Sequence, residues 1–138
     1  MSQSSNDTIP TSMHVAARMG IENDLLPALE SLHTALDEKA QAFDDVMKSG
    51  RTHLMDATPV RLGQEFGGYA GQIDHAIRRI EQASNRLSEV TLGGTATGTG
   101  LNCPEAFPET ALQHLTDATD LSFYKTGNHF AQQAGKEL

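Results

Sequence analysis

The chain has 138 residues, a length suited to one domain. Its 18 acidic and 10 basic side chains give a formal charge of −8, which argues against non-specific nucleic-acid binding and against docking on an anionic membrane surface, though not against a small anionic ligand. The lone cysteine, Cys103, excludes a disulfide framework within the chain and fits a reducing compartment, and no apolar run is long enough to span a bilayer.

The opening MSQSSNDTIP lacks the basic-then-apolar order of a signal peptide. Its Ser, Asn and Asp residues read first as an N-cap cluster for a helix over 7–18, capped by Asn6 or Asp7 and ended by Gly20. Only one residue can be the cap, however. Ser4, Ser5 and Asn6 together offer two hydroxyls and an amide at the positive end of a helix, a ready site for a carboxylate or phosphate. From 22 to 49, Leu25, Leu29, Leu32, Leu36, Ala40, Phe43 and Met47 recur at the three- and four-residue spacing of a long amphipathic helix. Pro27 suits its first turn and Gly50 its end.

A break follows at GRTHLMDATP, where Pro59 stops any helix. A lone histidine in a loop is ordinarily a surface or structural residue. Thr52 and His53 are nevertheless a useful pair: a hydroxyl can donate to a carboxylate, and an imidazole can orient or activate a water.

A second long helix is expected from 62 to 90, with Leu62, Phe66, Tyr69, Ile73, Ile77, Ile80, Leu87 and Val90 on one face. Gly67, Gly68 and Gly71 point to close helix–helix approach rather than flexibility. Next comes LGGTATGTGLN, which no regular helix accommodates. It follows a helix rather than a strand and no Lys-Ser/Thr comes after it, so phosphate-loop readings fail and a tight packed connection is the better account. A short helix over 108–119, with Pro108 at its first position, and a helix start from Asn128 complete an all-α pattern without repeats or a strongly alternating strand.

Helices of the two expected lengths would span ~40 Å. A compact domain of this size is only ~30 Å across. Such rods need other helices or copies of themselves to bury their stripes. The histidines at 14, 33, 53, 75, 114 and 129 include no i, i+4 pair of the kind a helical zinc site uses, and no G-x-S-x-G elbow is present.

The three polar segments, in this order and separated by long helices, resemble class II fumarate hydratase. SQSSNDTIPTSMHVAA is similar to that family's Ser-Ser-Asn-Asp segment, GRTHLMDATPVRLGQEFGGYAGQI to its Thr-His segment, and LGGTATGTGLN to its Gly/Thr loop. The resemblance implies reversible hydration of fumarate to L-malate in the citric acid cycle, with no metal and no cofactor. It implies long antiparallel helices packed, four chains together, into one bundle, and active sites that each gather residues from three chains. It assigns Ser4, Ser5 and Asn6 to a substrate carboxylate, Thr52 to a further substrate contact, and His53 to the active-site histidine that holds a water and transfers a proton. By this likeness residues 1–138 form a single segment of the central helical domain of a longer homotetrameric chain, cytoplasmic, or mitochondrial in a eukaryote. The family's loop bearing its catalytic Ser is expected beyond residue 138, so the isolated segment is expected to be inactive. The His of THLMDATP favours fumarase over aspartase, which usually has Gln there. The alternatives are another superfamily lyase, such as aspartase, and a non-catalytic helical scaffold. The final NHFAQQAGKEL departs from the family's Asn-Lys-Phe-Glu-Ala pattern.

Overall fold

The computed structural model describes residues 3–135; Ser2 of the first polar segment and residues 136–138 lie outside them. The fold is all-α with short strands between helices: α1 Ser5–Gly20, a π-helical turn Ile21–Leu25, α2 Leu26–Ala42, β1 Met47–Thr52, β2 Met55–Arg61, α3 Leu62–Arg86, β3 Glu89–Val90, α4 Phe107–Thr119, β4 Tyr124–Lys125 and α5 His129–Ala134. The chain divides into two compact units, Met1–Asp24 with Gln82–Leu138, and Leu25–Glu81.

Several expected boundaries move. Ser4, not Asn6 or Asp7, caps α1, because Asp7 at the third helical position accepts from the Ser4 amide and closes a capping box. Gly20 ends α1 but no loop follows, since the backbone passes into the π-helical turn. The helix expected to reach residue 49 stops at Ala42: the Asp44 and Val46 amides turn back onto the Gln41 and Phe43 carbonyls, and Met47 opens a strand. Apolar spacing had carried through the turn by coincidence. At 25 residues α3 is the long helix expected, ending four residues early where Leu87 enters a turn. In α4 the first residue is Phe107 and Pro108 the second, while Asn128 caps α5 through the Ala131 amide.

The first unit has an apolar core of Val90, Leu92, Leu112 and Phe123, packed against by Val15 of α1 and by Phe107, Ala111, Leu115 and Leu121. β3 and β4 pair in parallel, Glu89 beside Tyr124 and Val90 beside Lys125. Buried Arg18 donates to the Ser122 carbonyl and lays its guanidinium over the Phe123 ring, 5.2 Å from its centre.

In the second unit the Thr-His segment, expected as a break, is an antiparallel hairpin. Between Ser49 and Arg51 the register slips by one residue: β2 bulges opposite Gly50, where a Cβ would lie 2.6 Å from the Thr58 carbonyl oxygen. Phe43, Phe66 and Tyr69 stack edgewise, with ring centres 5.4 and 6.0 Å apart. Within the chain the close approach is at Gly63, whose added Cβ would stand 2.3 Å from the Ala40 carbonyl oxygen; Gly67 meets the Ala40 methyl at 3.8 Å, and Gly68 and Gly71 meet nothing of this chain within 4 Å.

Opposite outcomes are therefore expected in urea unfolding of the chain followed by circular dichroism. Gly63→Ala, which forces backbone against backbone, loses about 2 kcal/mol or more. Gly68→Ala gains ~0.5–1 kcal/mol from helix propensity. Equal effects at the two positions would refute the contact at Gly63.

Candidate active site

In the first unit the Ser-Ser-Asn segment and the Gly/Thr loop are one construction, and Asp7 joins them. Its carboxylate is fully buried. One oxygen accepts from the Ser4 amide at 2.8 Å and the Thr8 hydroxyl at 3.4 Å; the other accepts from the Gly93 and Thr95 amides at 3.1 and 3.0 Å. An ionised group taken out of water is tolerated only when donors replace its hydration, and here four do. They hold two residues at positive φ, Gly93 at 97° and Thr95 at 57°, and of the two only Thr95 has a side chain to accommodate there. Next to them the Asn6 side-chain amide donates to the Ala96 carbonyl at 2.6 Å. One of its two N–H groups is thus engaged by the loop.

From α5, Gln133 donates to the Thr95 carbonyl at 2.8 Å. A Cβ on Gly94 would collide with His129 and Gln133, which is why a glycine stands there. The tight packed connection expected of this loop is what is found, with residues 91–95 buried.

Beside this construction opens a cleft of ≈ 570 Å³. Ser5, Asn6 and Thr97 supply polar groups to its wall, and Ile9, Pro10, Met13, Leu87 and Phe130 supply apolar ones. His14 also lines it, with Nδ1 2.8 Å from the Glu89 carbonyl oxygen. A carbonyl only accepts, so Nδ1 carries the hydrogen. Ser4 stands back as the cap, its Oγ accepting from the Asn6 amide at 3.3 Å.

Thr52 and His53 belong to the second unit. Thr52 ends β1 opposite Met55, so His53 and Leu54 are the two residues of the turn. Their φ values of 52° and 62° are those a two-residue hairpin loop requires. Neither is glycine, so the tip carries backbone strain of the kind met at functional sites. Both are exposed, Leu54 by 98%. The hairpin is tied to α3 at its base, where Lys48 meets Glu65 at 2.5 Å and Glu65 accepts from the Tyr69 hydroxyl at 3.1 Å. The site residues expected from the sequence thus form two sets: Ser4, Ser5 and Asn6 on the first unit, and Thr52 and His53 on the second.

Asp7 was missed as more than a cap, and Thr97 was passed over with its loop. The side-chain amide of Asn6 and the run of small residues at 93–100 were the only hints. Among the described residues no three His, Cys, Asp or Glu side chains gather as a metal site, and no helix is long and apolar enough to cross a membrane.

The lyase family's sequence profile matches residues 1–136, and the chain belongs to that family. Within it the likeness is to class II fumarate hydratases, as the motifs led us to expect. The chain is 57% identical over 135 residues to the class II fumarate hydratase of Halobacterium salinarum, covering 98% of this chain and 29% of that enzyme, and 50% identical over 137 residues to that of Rhizobium meliloti, covering 99% and 30%. The crystal structure of class II fumarase from Schistosoma mansoni superposes with a TM-score of 0.91 at 35% identity, over 99% of this chain and 33% of that one. A fumarate lyase:delta crystallin from Brucella melitensis superposes equally well, TM-score 0.91 at 37% identity, over 99% of this chain and 30% of that one. The chain therefore spans about three tenths of the length of the curated relatives it matches.

The Glu65 carboxyl is held below its ordinary 4.5, first by the hydrogen bond from Lys48 and then by that from Tyr69. A depressed acid stabilises the folded state above its unfolded pKa and loses that contribution as pH falls through the folded value. Glu65→Gln is accordingly expected to lower the urea midpoint at about pH 7, with the gap to wild type closing towards about pH 3. A gap independent of pH would refute the ionic tie.

Proposed function

We propose that this chain is the central helical segment of a fumarate hydratase, contributing to reversible hydration of fumarate to L-malate in the citric acid cycle of the cytoplasm. The observation that carries this reading is the 57% identity to a class II fumarate hydratase along 98% of the chain.

On this reading Ser5 and Asn6, with Ser4 behind them, receive one substrate carboxylate, and Thr52 adds a contact from the hairpin of another chain. In the malate-to-fumarate direction a proton leaves C3 and hydroxide leaves C2 as water. Negative charge builds on the carboxylate next to C3 before the C2–O bond breaks. Fixed donors around that carboxylate stabilise the charge as it forms, commonly the largest contribution to such catalysis. His53 holds the water and passes a proton. The exposed hairpin supports assembly: Met47, Leu54 and Met55 lie in the open, and a lone two-stranded ribbon is marginal in water without cover. A homotetramer that brings hairpin and cleft of different chains together would supply that cover.

In the longer enzyme carrying this segment, His53→Asn is expected to lower kcat at least ~100-fold, the usual weight of a proton-transfer residue. The test is absorbance of fumarate with L-malate as substrate, and L-aspartate as the comparison. Turnover of aspartate but not malate would sink the reading in favour of an aspartase, and a protein with no turnover in either would point to a scaffold.

The 138-residue chain alone is expected to show no hydration of fumarate and to associate at micromolar concentration. Light scattering that gave a monomer mass would count against the assembly.

A further inference from the structure

The function just proposed leaves the Gly/Thr loop without a part in the chemistry. We propose that Thr97 of this loop is a further substrate-contact residue, donating its hydroxyl to the carboxylate that Ser5 and Asn6 receive, and that Asp7 is the positioning residue that puts it there. The proposal rests on the fumarate hydratase reading and adds to it a residue and a mechanical cause.

The placement comes from bonds on both sides of one short stretch. Asp7 takes the Thr95 amide, Gln133 takes the Thr95 carbonyl, and Asn6 takes the Ala96 carbonyl. Thr97 is the next residue. It is exposed, lines the same cleft as Ser5 and Asn6, and has its hydroxyl 3.4 Å from that of Thr99. The Asn6 bond to Ala96 holds Thr97 beside the helix start, so that Ser5, Asn6 and Thr97 line one cleft together.

A connection that needed only to be tight could be packed with apolar groups. Here the interior holds a carboxylate, whose desolvation must be offset by its donors. Two of those donors are loop amides, so the charge fastens the loop to the helix start that carries Ser5 and Asn6. The positive φ at Thr95 and at Gly98, 57° and 91°, bends the loop on either side of Thr97. Gly98 is further confined by the Phe130 ring, which a Cβ would meet at 3.2 Å.

Two substitutions separate contact from positioning in the longer enzyme. Thr97→Val is expected to raise KM for L-malate about tenfold or more, the weight of one hydrogen bond to a charged group, with the thermal midpoint unchanged. Thr97→Ser is expected to restore KM to within about twofold, because the hydroxyl alone is needed. A wild-type KM in Thr97→Val overturns the contact. Asp7→Asn is expected to raise KM in the same direction; a folded Asp7→Asn enzyme with wild-type KM overturns the positioning. Deuterium exchange in the wild-type chain tests the clamp without any variant: slow exchange at the Gly93 and Thr95 amides supports it, and exchange as fast as in an open loop overturns it.

If the wild-type enzyme hydrates no fumarate, the functional reading fails and the contact is decided separately. Titration of the 15N-labelled chain with succinate should then shift Ser5, Asn6 and Thr97 together; a silent Thr97 overturns the proposal.

Discussion

The first unit depends on a negative charge in its interior. Asp7 is within the opening turn of α1, yet two of its donors are amides 86 and 88 residues further along the chain. One side chain therefore closes a helix start, sets the path of a loop, and fixes which groups face the cleft. Each oxygen has two donors, and a buried carboxylate stripped of its partners costs far more than the bonds themselves contribute.

The two units present polar groups by different means. Around the cleft, hydroxyls and an amide are aimed by a charge-assisted network beneath them. At the hairpin, the imidazole is aimed by the backbone itself, through left-handed conformations that neither His53 nor Leu54 would choose freely. Both devices settle geometry before a ligand arrives, which is the condition for electrostatic stabilisation of a developing charge. On the proposed reading, an acidic protein thereby offers a dianion a locally favourable surface. What matters is which donors lie within a few ångströms, not the sign of the whole molecule.

Much of this could be read from residues in order. The cap cluster, the long stripe of α3, the small-residue loop and the start of α5 all rest on local chemistry that a sequence displays directly. The hairpin did not, for want of the Asn-Gly or Asp-Gly pair that usually marks such turns. His-Leu in left-handed backbone carries no such signal. The early end of α2 was masked because Phe43 and Met47 continue its spacing past the turn. The wider role of Asp7 was hidden for another reason: its distant partners are backbone amides, which every residue but proline has, so no side-chain pattern could announce them. Close approach within the chain is at Gly63, while Gly68 and Gly71 remain open.

The hairpin tip also acts as a ruler. Side chains alternate faces along a strand, so a shift of one position transfers every residue beyond it to the opposite side. The pairing already absorbs one such offset at Gly50. A single insertion or deletion elsewhere in the ribbon would therefore swing the ring of His53 away from its present heading without altering any atom of the ring. In descendants of this sequence, length between Met47 and Arg61 should be under tighter constraint than the identity of most residues it contains.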